Sequence, residues 1–256
     1  MLLNINNFNV ILLVQKVLKG IMFMQKSNSI VESVFDIFFE TTAITENFLG
    51  LIEQVDGFEE ITKLPILQIP EAIRKNDPNF KFQPLYEIRS KTNTDYRVML
   101  GDGMVGVAIS EEYKGWDESF YPQIEKLFKT FLASDKVTKI NRIGLRYVNF
   151  LPNENIFETG KLDVKIANNE ACNKKIFLKI EDCIDDICYS KTVTNNAEYV
   201  RSSTSGSIID IVTFIESNTK ELLKETIFED ITRLHGISKE KFKEVISDEY
   251  IKQHNL

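Results

Sequence analysis

A period-two alternation of apolar and polar residues runs from Lys139 to Phe150 and is the clearest pattern in the chain. Strand side chains point to opposite faces in turn, so Ile143, Leu145 and Tyr147 share one face and Arg142, Gly144, Arg146 and Val148 the other. The pattern predicts a strand over 138–151, closed by Pro152. Other strand-like runs are Ser29–Thr41, Phe80–Lys91, Asp95–Leu100, Met104–Ser110, Lys175–Glu181, Ile187–Thr194 and Ile208–Ile215. Gly101-Asp102-Gly103 marks a hairpin turn, and Pro84 predicts an edge position or a bulge.

Helical spacing appears at Phe48, Leu51, Ile52 and Val55, and more strongly at Ile124, Leu127, Phe128, Phe131 and Leu132. Residues 58–79 read as irregular, with a short helix at Glu71–Lys75. Ser202–Ser207 reads as a flexible loop. The chain should end in two helices, Thr219–His235 and Ser238–Tyr250, broken at Gly236. Strands arrive in antiparallel runs, not in βαβ alternation. The expected fold is therefore α+β: a large curved antiparallel sheet with helices packed on one face, in which the two halves of the chain can be rough structural repeats.

Composition narrows the function. The 256 residues suffice for one large domain or two small ones, and the 18 Phe against a single Trp, many of them in strand-like runs, read as core. The net charge of −7 repels phosphate backbones, so non-specific nucleic-acid binding is not expected. Only His235 and His254 are present, which disfavours histidine-rich metal and catalytic sites; no metal, cofactor or catalytic residue is assigned. The odd cysteine count (Cys172, Cys183 and Cys188) without CxxC spacing argues against a disulfide framework.

Met1–Phe23 is apolar, with its lysines after the apolar run, which is the wrong order for a signal peptide, and too interrupted to cross a membrane. It reads as an extension from a misassigned start, or as a short amphipathic helix. The expected organisation is an extension at 1–27, one domain at 28–250 with halves near 28–136 and 137–250, and a tail at 251–256. The expected location is cytoplasmic.

Asn141-Arg142-Ile143-Gly144-Leu145-Arg146-Tyr147-Val148-Asn149 resembles the hallmark of a sporadically distributed prokaryotic family of uncharacterised proteins. Gly115–Phe120, Ile208–Phe214 and the segment from Leu234 resemble other parts of it in order. The resemblance implies an accessory gene, such as a defence or toxin–antitoxin locus, and brings no catalytic residues with it.

Two readings of Arg142 and Arg146 compete. Residues four apart on a strand are about 13 Å apart, but long side chains can converge over Gly144 and grip an anion. Trp116 and Tyr147 would then line the site. In the other reading each arginine pairs with a carboxylate, the candidates being Glu32, Asp36 and Asp210, the last interrupting an apolar strand. Trp116 alone reads as an anchor at a helix start, His235 as a cap at a helix end, and Glu181, Asp182, Asp185 and Asp186 as a solvated loop or weak cation site. The preferred function is a non-catalytic binding or regulatory protein whose partner is another protein. The alternative is an enzyme or sensor of a nucleotide-like anion at the arginine strand.

Overall fold

The computed structural model describes residues 29–55, 57–91, 95–110, 113–166, 169–170, 174–199 and 203–254. The expected extension 1–27, Cys172 and Ser202 lie outside the described residues. In chain order the elements are β1 (Ile30–Glu40), α1 (Leu49–Glu53), β2 (Phe58–Lys63), α2 (Glu71–Asn76), β3 (Pro84–Ser90), β4 (Tyr96–Gly101), β5 (Met104–Ile109) and α3 (Tyr121–Leu132). They continue with β6 (Lys139–Pro152), α4 (Ile156–Thr159), β7 (Lys165–Ile166), β8 (Asn169–Glu170), β9 (Phe177–Ile184), β10 (Ile187–Tyr199), β11 (Thr204–Glu216), α5 (Ile227–Lys243) and α6 (Asp248–His254).

Nine strands form one open antiparallel sheet in the order β2-β3-β4-β5-β1-β6-β11-β10-β9. The two halves follow the same route. β1 sends the chain to the β2 edge, and a meander returns it to β5 beside β1. β6 sends it towards the β9 edge, and a second meander returns it to β11 beside β6. A helix follows each meander, α3 after β5 and α5 after β11. The long arginine strand, β6, thus sits at the seam between the halves, paired with β1 on one side and β11 on the other.

Among the described residues the helices pack on one face, and the other is called helix-free in that sense. Phe35, Ile37 and Phe39 of β1, Ile143, Leu145 and Tyr147 of β6, and Ile215 of β11 meet Ile124, Leu127, Phe128 and Phe131 of α3 and Ile227, Ile231 and Leu234 of α5. The alternate residues of the same strands make the other face, where Val34, Met99, Met104 and Ala108 form a small separate cluster with Phe38 and Phe82. One row of directly opposed residues crosses all nine strands on this helix-free face: Thr62, Glu87, Met99, Gly106, Asp36, Gly144, Phe214, Cys188 and Cys183.

Several expectations change. The stretch expected to be irregular contains β2, whose charged residues Glu59, Glu60 and Lys63 hide its strand character. Pro84 is not at an edge, because β2 lies beyond β3; it sits at the register shift between β3 and β4, as the bulge alternative required. Thr204–Ser207 is the first part of β11, not a loop. Helix α5 begins at Ile227 and runs through Gly236, where a single glycine costs only about 1 kcal/mol. Ser238 is therefore mid-helix and buried, hydrogen-bonded to Thr213 Oγ1 at 2.8 Å across the α5–β11 contact.

Candidate functional site

On the helix-free face each β6 arginine is paired with a carboxylate of a neighbouring strand, and a third pair, Glu32 with Arg97, spans β5. Arg142 NH1 donates to Asp36 Oδ1 of β1 at 2.6 Å. Arg146 grips Asp210 of β11 with two bonds, Nε to Oδ1 at 2.9 Å and NH2 to Oδ2 at 2.7 Å. Glu32 pairs with Arg97 of β4, and Arg97 also donates to Ser110 Oγ at 2.9 Å. Glu32 is therefore not the direct partner of either β6 arginine. Two of the three candidate carboxylates hold the arginines as the pairing alternative requires, and the third holds an arginine that the strand pattern did not single out.

The register explains the choice of partners. Asp36 stands directly opposite Gly144, one step along the face from Arg142, so the guanidinium lies back over the glycine to reach it. A Cβ built on Gly144 would come within 2.7 Å of Arg142 NH1 and 2.8 Å of Asp36 Oδ1. Gly144 leaves the space through which this ion pair passes. The guanidinium carbon also lies 4.9 Å from the ring centres of both Phe38 and Phe214, a cation–π sandwich between β1 and β11. Burial pushes the Asp36 carboxyl above its ordinary pKa, and the Arg142 charge and hydrogen bond pull against that shift.

These side chains are shielded but not covered. The Arg146 and Asp210 side chains keep 17% and 10% of their surface exposed, although the helices lie on the other face. Long arginine and aromatic side chains provide the shelter themselves.

Trp116 and Tyr147 do not join this face. Tyr147 points to the helix side of β6, where its hydroxyl lies 3.0 Å from His235 Nδ1 of α5. Trp116 opens a π-helical turn, Trp116–Phe120, directly before α3, and its ring stacks on His235 with centroids 4.1 Å apart and planes 2° apart. Gly115, at φ +129°, sets the approach to that turn. The five residues expected to share one ligand site are thus divided between two faces of the sheet. Trp116 is an anchor, as its helix-start position suggested, and it ties the head of α3 to α5.

His235 is not a cap. It lies inside α5, where burial first and the charge of Lys239 second lower its pKa to about 4, with Asp117 acting in the opposite direction. Tyr113 packs edge-on against Tyr147, and burial raises the Tyr113 hydroxyl to about 12 and that of Tyr147 well above its usual range.

The cysteine expectation is overturned. Cys183 and Cys188 form a disulfide across the β9–β10 hairpin. They are directly opposed in register, flanking Ile184 and Ile187 around the two-residue turn Asp185-Asp186. That turn centre was the available signal, because it places residues 183 and 188 face to face. Asp186, expected in a solvated loop, is clamped by Arg233 of α5, which holds its carboxyl below the usual range.

Among the described residues no group of three or more His, Cys, Asp and Glu is arranged to hold a metal ion, and no helix is long and apolar enough to cross a membrane. Comparison with protein-family models and with curated proteins gives no match to this chain.

Proposed function

We propose that this chain is a non-catalytic binding or regulatory protein, and that it meets a protein partner through the helix-free face of its sheet. The observation that carries this reading is the internal pairing of that face. Arg142 and Arg146 already hold Asp36 and Asp210, and an anionic ligand would have to break a largely buried ion pair to engage either one. A protein partner needs no such exchange. It can pack on the half-buried Val212 and Phe214 between the pairs, and on Thr192 beside Asp210, and leave the charges matched. The resemblance of the Asn141–Asn149 motif to a sporadically distributed family supports an accessory locus, of the defence or toxin–antitoxin kind, as the setting.

The test is a thermal-shift series with nucleoside mono-, di- and triphosphates on the wild-type chain and on Arg146→Ala. The expected result is no ligand-dependent rise in Tm for the wild type. A rise that disappears in Arg146→Ala would overturn the proposal in favour of a nucleotide-sensing site.

A further inference from the structure

We infer that β9 is a self-association edge through which two copies of this chain join their sheets. Among the described residues β9 is an outer strand, paired with β10 alone. Such an edge presents a row of backbone donors and acceptors, which proteins normally blunt with proline, a bulge, a cover or dense charge; here the Cys183 N–H already donates to Asp182 Oδ1 at 2.8 Å, so the pairing row runs over Phe177–Glu181. Both edges carry charge, β9 with Lys179, Glu181 and Asp182 in eight residues, but β2 is denser in charge and its register against β3 is broken. β2 carries Glu59, Glu60 and Lys63 in six residues. β9 contains no proline, keeps unbroken register with β10, and exposes Phe177 (68%), Ile180 (36%) and Ile184 (38%). The Cys183–Cys188 disulfide closes the turn end of the hairpin and holds the edge in its extended form.

The occupant is a second copy because the strand is complementary to itself. Two antiparallel copies related by a two-fold axis perpendicular to the sheet must pair residues of the same face. Setting Ile180 opposite the second copy's Ile180 places Lys179 opposite Glu181 twice over, on the face that carries the disulfide. On the other face it brings Ile184 opposite Ile176. Sliding by one same-face step in either direction sets Lys179 against Lys179 or Glu181 against Glu181, and like charges directly opposed are destabilising. Lys179 and Glu181 already touch within one strand at 2.7 Å, so pairing would close a four-charge square.

The experiment is sedimentation equilibrium of the intact, oxidised chain across the micromolar range, comparing wild type with Ile180→Lys, Lys179→Glu and the exchange Lys179→Glu/Glu181→Lys. The substituted side chains are largely outside the core, and an unchanged Tm verifies folding. The wild type should be dimeric. Ile180→Lys, which puts two ammonium groups on the axis, and Lys179→Glu should each weaken the dimer at least tenfold, and the exchange should restore it. A monomeric wild type would overturn the inference, as would a dimer indifferent to Ile180→Lys or an exchange variant no tighter than Lys179→Glu.

Discussion

At Gly144 the absence of a side chain serves an ion pair, not a ligand. The strand would otherwise favour a larger residue there, since glycine weakens strand interiors. The bridge from Arg142 to Asp36 occupies the volume that a Cβ would take. Gly144→Ala should therefore displace the bridge and cost about 1 kcal/mol, on the scale of a charge-assisted hydrogen bond partly replaced by water. In an Arg142→Met background the same change should be neutral or stabilising. Urea unfolding of the two single variants and the double variant checks this, since coupling between contacting residues appears as non-additivity. Additive losses would mean that Gly144 is required for another reason. The strand pattern made both arginines and the glycine visible. It could not give their partners, because the partner depends on the register between β1 and β6, which places Asp36 opposite Gly144 and leaves Glu32 to Arg97.

Among the elements, α5 and the head of α3 are joined through one neutral imidazole. Trp116 covers the His235 ring and Tyr147 engages its Nδ1, so a proton on His235 would be buried beside the Lys239 charge, with Asp117 the compensating acid. The folded pKa is about 4, below the ordinary value of 6.5. Between those two values the unfolded chain binds a proton that the folded chain refuses, so this contribution to stability is complete above pH 6.5 and is lost as pH falls towards 4. His235→Gln removes the titration and keeps a hydrogen-bonding group. The wild type should lose stability relative to His235→Gln as pH is lowered through that window, measured by urea midpoint at each pH. A constant difference between the two proteins would show that His235 titrates normally. The helical stripe of α3 was legible from its spacing. The length of α5 was not, because packing of Ser238 on Thr213 and of Ile231 and Leu234 in the core carries the helix through Gly236.

Over the whole molecule, two halves of like topology meet at β1 and β6, and the ionic pairs lie across and beside that seam. The class of fold was readable because hydrophobic period and turn chemistry are local properties of the chain. The division of Arg142, Gly144 and Arg146 from Trp116 and Tyr147 was half readable. Odd and even positions place Tyr147 on the opposite face of β6 from Arg142 and Arg146, whereas the position of Trp116 depends on how the head of α3 packs on α5. The disulfide required knowing where the β9–β10 turn is centred, and β2 required tertiary pairing that its own charged sequence does not advertise.

The arginines of β6 tie this strand to β1 and β11 through Asp36 and Asp210. Urea unfolding of Arg146→Met, Asp210→Leu and the double variant measures what that tie is worth. Each single variant leaves the other charge largely buried without its partner, and should lose about 3 kcal/mol. The double variant, which replaces the pair with apolar residues of similar size, should return close to the wild-type stability. Single variants as stable as the wild type would contradict the account and return Arg146 to the role of a free ligand-binding group.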